Sequence, residues 1–239
     1  IFKNIHFKNF CEKDFKKIIK SNGLLVFPAG PGLTDINKNI KYYRALQEAD
    51  FVFFDSGYFV LLLRYFKKIS VSKFSGYKFL KLFFNYLKKK KKKKIFLILK
   101  NYLDKNINYN YFRKNFNLKT YSYVAPQYKK NNFNDFNLIK ILNKINPNYI
   151  IINLGGGTQE VLGLHIKKRL KNRCTIICTG GAISFFNGVE APINNLFDNL
   201  YIGWMIRILY NPRRFFKRYL SSFKLLKIVL KSKIKIIYR

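Results

Sequence analysis

The sequence predicts an α/β domain built on a doubly wound, mostly parallel sheet. Short, continuously apolar runs recur along the chain, and longer amphipathic segments separate them. A strand that is apolar on both faces has to be buried on both faces, as in a parallel sheet covered by helices on each side. The length of 239 residues and the hydrophobic fraction of 49% are enough for one substantial core.

Five runs have the length and composition of buried strands, a sixth is weaker, and five helical patterns lie between them. Because ligands of doubly wound domains bind beyond the carboxyl ends of the strands, the residues that follow each strand are the first candidates for function. The predicted strands are 24–27, 51–54, 95–99, 149–153 and 175–178, with 121–124 as the weaker one, and the predicted helices lie near 37–49, 57–67, 76–88, 133–145 and 158–171.

The last part of the chain has a different pattern. From about residue 195 no further strand is evident, and the chain becomes basic, aromatic and helical. We therefore predict an α/β core of residues 1–194 and a helical appendage of residues 195–239. Phe215 and Phe216 stand among cations there, which favours a helix lying on a membrane surface over a basic face that is merely solvated.

The charge balance narrows the class of partner. The chain has 47 Lys and Arg against 11 Asp and Glu, a formal net charge of +36, which favours nucleic acid, anionic lipid or phosphorylated ligands. A nucleic-acid-binding protein is the main alternative, since phosphate neutralisation dominates such binding. No helix-turn-helix, zinc-finger, KH or RRM signature is evident, so no nucleic-acid partner is expected. A structural protein of the membrane surface is a third possibility.

The cysteines and histidines indicate neither a disulfide framework nor a metal site. The even spacing of Cys174 and Cys178 puts both on one face of a predicted strand, as buried thiols suited to a reducing compartment. His6 and His165 are isolated in the sequence. No apolar stretch reaches the roughly 18 to 20 residues that cross a bilayer. The N-terminus lacks a signal-peptide pattern, so we expect a cytoplasmic protein.

Asp55 is the first candidate for chemistry. It stands where the second predicted strand ends, and Gly57 then lets the chain turn into a helix. A carboxylate at this place can serve as a general base near a sugar hydroxyl, or it can cap the helix that follows. The residue taken by itself leaves both interpretations open.

Two glycine-rich loops follow the last two predicted strands and together favour a cleft. The first also opens a helix, so its backbone amides and the helix N-terminus suit a phosphate or a sugar. It is neither a Walker loop nor a dinucleotide fingerprint, because it lacks Gly-Lys-Ser/Thr and has Glu160 at the third glycine position. A tight turn capped by Thr158 is the alternative. The candidate residues of this phosphate or sugar site are Gly155, Gly156, Gly157, Thr158, Gln159, Glu160, Gly180 and Gly181.

The appendage carries a string of arginines. Their planar guanidinium groups bind diphosphates through paired, charge-assisted hydrogen bonds. The candidate phosphate-binding residues are Arg207, Arg213, Arg214 and Arg218.

These features, in this order and spacing, resemble the WecG/TagA/CpsF glycosyltransferases over about residues 24–219. That family has an aspartate after its second strand, a Thr/Ser-Gly pair, a Gly-x-Pro-x-Gln-Glu loop, a glycine loop, an Arg-Ala-Pro segment and a tail of the form Trp-x-x-Arg…Pro-x-Arg-x-x-x-Arg-Tyr. The matching residues here are Ala49 and Asp50 with Asp55, Ser75 and Gly76, Gly155 with Gln159 and Glu160, Gly180 and Gly181, Gly188 with Ala191 and Pro192, and Trp204 through Tyr219.

The resemblance implies a Rossmann-like core and an inverting transfer that needs no metal or other cofactor. The implied donor is a UDP-sugar, typically of the N-acetylmannosamine type, and the implied acceptor is a sugar linked to undecaprenyl diphosphate. Asp55 would then be the catalytic base, and Gln159 and Glu160 would line the donor pocket. The tail arginines would contact phosphates at an anionic membrane, so we expect peripheral binding to the inner face of the plasma membrane.

The chain departs from the family pattern at four places in or near these motifs. The chain has Phe27-Pro28-Ala29 where the family has Thr-x-Asn, Ser56 in place of glycine, Gly157 in place of proline, and Glu190 in place of arginine. The base candidate, Gln159-Glu160 and the arginines are retained. We therefore expect a divergent, active member with an altered donor or acceptor.

Overall fold

A seven-stranded sheet forms within residues 1–90, 93–128, 133–190, 201 and 203–237, which the computed structural model describes. In the last of these ranges the backbone is described throughout, and the side chains are described except at 203, 204, 206, 207, 214, 215 and 218. All of the strand pairs in this sheet are parallel. The predicted doubly wound α/β architecture is therefore confirmed.

The elements follow the predicted alternation of strands and helices. The strands are β1 (Phe7–Lys8), β2 (Leu24–Val26), β3 (Phe51–Phe53), β4 (Ile95–Leu99), β5 (Tyr121–Val124), β6 (Tyr149–Ile152) and β7 (Thr175–Cys178). The helices are α1 (Phe15–Ile19), α2 (Gly30–Thr34), α3 (Ile40–Gln47), α4 (Gly57–Lys67), α5 (Gly76–Lys88), α6 (Tyr102–Phe116), α7 (Phe136–Ile145), α8 (Thr158–Arg169), α9 (Gly203–Tyr210), α10 (Pro212–Leu220) and α11 (Lys224–Lys231), with 3-10 turns at Glu12–Asp14, Gly180–Phe185 and Ser221–Phe223.

The strand order β1-β3-β2-β7-β6-β4-β5 puts β2 beside β7 in the middle of the sheet. Val26 pairs with Cys178 at the carboxyl ends of these two strands. The chain then leaves β2 toward one face of the sheet, where Leu33 of α2 is buried, and leaves β7 toward the other face, where Ile183 is buried. Neighbouring strands whose connections diverge in this way leave a crevice at their carboxyl ends, where ligands of such folds bind.

Each face of the sheet carries its own apolar core. Helices α2, α3, α4, α7, α8 and α11 cover one face, and α1, α5, α6 and the turn at Gly180–Phe185 cover the other. The second core is dense in aromatic rings: Phe27 stacks on Phe53 with their centroids 4.6 Å apart. Cys174 and Cys178 are free thiols buried in the first core, as their spacing predicts.

Helix α6 is an element that the sequence pattern does not reveal. Its inward side presents Asn108, Phe112 and Phe116, so a polar residue interrupts the apolar stripe. The side chain of Asn108 is satisfied within the protein, since its amide donates to the Asp104 carbonyl and its oxygen accepts from Asn187. A buried asparagine with good partners is stable, but it removes the periodicity by which a helix is recognised.

The tail continues as helices in the described part, in agreement with the predicted helical character of that segment. Its last helix packs on α2 and α4, and Leu225 and Val229 are fully buried in the first core. The predicted boundary at residue 195 lies among residues 191–200, outside the described part. In the described residues, no helix is both long enough and apolar enough to span a bilayer.

Candidate active site

Asp55 lies at the carboxyl end of β3, beside the crevice. Its Oδ1 accepts a hydrogen bond of 2.8 Å from the backbone N–H of Gly76, the first residue of α5. Helix α4 is capped instead by Ser56, whose hydroxyl accepts from the N–H of Phe59 at 3.2 Å. The interpretation of Asp55 as the cap of α4 is therefore wrong. The carboxylate faces the positive end of a different helix, where a negative charge is stabilised.

The N-terminus of α5 is built closely around this contact. Ser75 caps the helix by accepting from the N–H of Lys78 at 3.1 Å, and it is itself buried. A Cβ added at Gly76 would lie 3.1 Å from the Cβ of Thr179, the residue after β7. Glycine thus lets α5 approach β7, and the approach brings Asp55 and Thr179 to the same place.

The crevice opens into a cleft of about 320 Å³. Its inner wall comes from the residues that follow β2, β3 and β7, among them Ala29, Asp55 and Thr179. Its outer wall comes from the tail, including Phe216 and Tyr219 of α10 and the turn that follows. Clefts of this size, largely apolar with a few convergent polar groups, are typical of small-molecule sites.

Two residues that line the cleft have hydroxyl groups with no hydrogen-bond partner within the described chain. They are Thr179 and Ser222 of the turn after α10, and both residues are more than nine-tenths buried. Burying a hydroxyl without a partner is costly, so such groups are normally satisfied by water or by a ligand.

The two glycine loops lie side by side, as their places after β6 and β7 predict. Gln159 joins them: its Oε1 accepts from the N–H of Gly180 at 2.7 Å, and its Nε2 donates to the Cys178 carbonyl at 3.3 Å. Glu160 accepts from Gln159 at 2.9 Å and from the N–H of Gly157 at 2.7 Å. Both side chains are buried. Because these hydrogen bonds run to residues of the two loops, they stabilise the shape of the loops.

The loop at 155–160 turns into α8 through a glycine in an unusual conformation. Gly157 has φ of +90° and occupies the cap position, so Thr158 is the first residue of the helix and does not cap it. The capping group is the Glu160 carboxylate, which reaches back to the loop. Gly155 and Gly156 are exposed, with open space around Gly155. The described lining of the cleft includes Thr179 and Ala182 from the second loop, but no residue of 155–160.

A comparison with known protein families identifies the class of protein to which the chain belongs. The model of the glycosyl transferase WecG/TagA/CpsF family matches residues 2–237, nearly the whole chain. The chain belongs to this family. It is accordingly an enzyme that transfers glycosyl groups, on a Rossmann-like α/β fold. None of the curated proteins matches the chain.

The predicted arginines of this glycosyltransferase are only partly covered by the structure. Arg213 is exposed on α10, and the side chains of Arg207, Arg214 and Arg218 lie outside the described part, as do Ala191 and Pro192 of the family pattern. A cation that does line the cleft is Lys73, half-buried, with its ammonium 5.4 Å from the ring centroid of Tyr201.

Sequence reasoning did not single out Lys73, Thr179, Tyr201 or Ser222 as site residues. Thr179 could have been found, because it directly follows a predicted strand. Lys73, Tyr201 and Ser222 follow no strand and belong to no motif, so no local signal marks them. Among the described residues, no three His, Cys, Asp or Glu side chains come together in a group that could hold a metal ion.

Proposed function

We propose that this glycosyltransferase is an inverting, metal-independent enzyme that takes its sugar from a UDP-sugar, of the N-acetylmannosamine type or related. The acceptor would be a sugar linked to a polyprenyl diphosphate such as undecaprenyl diphosphate, in the synthesis of a cell-surface polysaccharide. The observation that carries this proposal is the carboxylate of Asp55 in a cleft at the carboxyl ends of β2, β3 and β7.

A glycosyl transfer that inverts the configuration at the anomeric carbon requires one base and a stabilised leaving group. Asp55 would take the proton of the acceptor hydroxyl, whose oxygen attacks the anomeric carbon from the side opposite the diphosphate. The bond from that carbon to the diphosphate oxygen breaks, and UDP leaves with the bonding electrons. The hydrogen bond from Gly76 to Oδ1 fixes the orientation of the carboxylate, which supports this role.

The negative charge that develops on the departing diphosphate needs preorganised positive groups. Lys73 lines the cleft and is a candidate for this contact. Backbone amides of the loops at 155–157 and 180–181, and the arginines of the tail, are further candidates. These groups would supply the stabilisation that a metal ion provides in other transferases.

The outer wall of the cleft fits an acceptor that is held in a membrane. Phe216, Leu220 and Phe223 line the cleft and are also 55%, 54% and 60% exposed, so one apolar surface joins the site to the outside. Arg213 and Lys217 are exposed on the same helix. An amphipathic basic surface of this kind supports peripheral binding to an anionic leaflet, which for a polyprenyl diphosphate acceptor would be the inner face of the plasma membrane.

The test is a thermal-shift screen of the intact protein with nucleotide sugars, followed by a UDP-release assay with the best donor. One UDP-sugar should raise the melting temperature progressively as its concentration rises above its dissociation constant, because a ligand that binds only the folded state stabilises it. A salt-sensitive gel shift with random RNA runs in parallel. Binding of RNA without stabilisation by any UDP-sugar would overturn the proposal in favour of a nucleic-acid-binding protein.

A further inference from the structure

The two residues with unsatisfied hydroxyls both lie near the Asp55-Ser56 pair. Thr179 packs against Gly76, the residue whose N–H binds the Asp55 carboxylate. Ser222 packs against Gly30: a Cβ added there would lie 3.3 Å from the Ser222 hydroxyl oxygen and 3.0 Å from that of Ser56. The two hydroxyls therefore come from distant parts of the chain and converge on the residues that carry the candidate base.

The chemistry of these groups indicates the part of the substrate that they meet. A hydroxyl both donates and accepts a hydrogen bond and carries no charge, which matches the hydroxyl and acetamido groups of a sugar. Diphosphates are bound mainly by charged or backbone donors. The side chains of Phe27 and Ala29, at the neighbouring end of β2, offer no hydrogen bond, because the first is buried among aromatic rings and the second is a methyl group.

We propose that the hydroxyls of Thr179 and Ser222 bind the transferred sugar and select it within the donor. This inference rests on the proposed function and extends it to specificity. Each hydroxyl forms a hydrogen bond with the sugar that compensates for its burial. A nucleotide without the sugar leaves both groups without that bond.

The test compares the affinities of UDP and of the best UDP-sugar for Thr179→Val and Ser222→Ala by calorimetry, in the intact chain. Each variant should bind the UDP-sugar roughly 10-fold more weakly, the usual scale for the loss of one hydrogen bond in a buried site. Affinity for UDP should stay unchanged. The melting temperature without ligand should hold or rise, because the valine removes a hydroxyl that has no partner in the free protein.

Thr120→Val is the matched control. The Thr120 hydroxyl is also buried without a partner in the described chain, but it lies just before β5, at the opposite edge of the sheet from the cleft. This variant should bind both ligands normally, and Thr179→Ser, which keeps the hydroxyl, should restore binding of the UDP-sugar. Ser222→Ala carries the test alone if Thr179→Val does not fold.

The outcomes separate the two proposals. Equal affinity of the wild type and both variants for the UDP-sugar would overturn this inference and leave the proposed function intact. A parallel loss of UDP and UDP-sugar binding would also overturn it, since the contacts would then be to the nucleotide. Failure of the wild type to bind any UDP-sugar would overturn the proposed function and this inference with it.

Discussion

At the scale of single residues, β3 has an aspartate at each end, and the two have different surroundings. Asp50, before the strand, accepts from the N–H of Leu24 at 2.7 Å and pairs with Lys167 at 2.8 Å. Asp55, after the strand, holds the first turn of α5 and is the one acid among the described residues that line the cleft. The first arrangement joins β2, β3 and α8, whereas the second puts a carboxylate in the wall of the cleft.

Asp55→Asn should lower turnover by roughly 100-fold or more, because asparagine cannot accept the proton of the acceptor hydroxyl. The amide oxygen can still accept from Gly76, so the melting temperature and donor affinity should be nearly unchanged. The measurement is UDP release with the native acceptor, alongside thermal melting and donor binding.

Asp50→Asn is the matched control at the other end of the strand. It weakens a half-exposed ion pair, so we expect a modest loss of stability and normal turnover. Turnover of Asp55→Asn close to that of the wild type would remove Asp55 from the mechanism. The carboxylate would then be a structural partner of α5.

At the scale of elements, the junctions after β6 and β7 act as one unit through Gln159 and Glu160. Their hydrogen bonds to Gly157 and Gly180 leave the backbone of the first loop exposed at Gly155 and Gly156. An exposed loop of glycine amides beside a helix N-terminus remains a candidate for donor phosphates. Its absence from the lining of the cleft means that a donor would have to extend from the cleft toward this loop.

Gly155→Ala and Gly157→Ala should separate binding from folding. An added Cβ at Gly155 meets nothing within 4 Å, so this variant should melt like the wild type and bind the UDP-sugar more weakly if the loop is a donor site. At Gly157, by contrast, φ is +90°, so any side chain there would strain the backbone by about 1 to 3 kcal/mol. We therefore expect a melting temperature lowered by several degrees there.

A change at Gly157 therefore alters folding as well as the loop, whereas a change at Gly155 alters the loop alone. Calorimetric titration of Gly155→Ala with the UDP-sugar is the decisive measurement. Normal donor affinity in that variant would mean that the loop is only a turn.

At the scale of the whole molecule, the basic tail both closes the cleft and completes the core. Leu225 and Val229 of α11 are fully buried, and Lys67 of α4 donates to the Leu230 carbonyl at 3.0 Å. Deleting residues from 207 onward would therefore expose the first core as well as remove the candidate membrane surface. The proposed membrane binding of the tail is therefore better tested by changing charges than by truncation.

Arg213→Gln with Lys217→Gln should weaken binding to anionic vesicles. Each cation near such a surface contributes on the order of 1 kcal/mol, so the loss of two corresponds to roughly 30-fold in partitioning. Both side chains are exposed, so folding should be unaffected. The measurement is sedimentation with vesicles of anionic lipid at low and high salt.

The control is Lys140→Gln with Lys144→Gln, at two exposed positions of α7. It lowers the net charge by the same amount as the double change in the tail. It should keep nearly full vesicle binding. An equal loss in both double variants would show that overall charge, not the tail, attracts the membrane.

Much of the fold and part of the site follow from the sequence by itself. Runs such as Ile95–Leu99, in which all five residues are buried, specify strands of a parallel sheet, because an apolar residue at every position has to be covered on both faces. The same logic places Asp55 and the two glycine loops at the carboxyl edge. These predictions depend on local burial patterns, which a chain encodes over a few residues.

Only the tertiary structure decided which distant residues share the cleft. The pairing of β2 with β7 joins segments about 150 residues apart in sequence, and it brings Thr179 beside the end of β2. Lys73, Tyr201 and Ser222 arrive from an inter-helix loop and the tail, where no pattern marks them. The spacing of apolar residues indicates that a segment is buried, but it does not indicate which other segment covers it. That partner depends on how the whole chain packs.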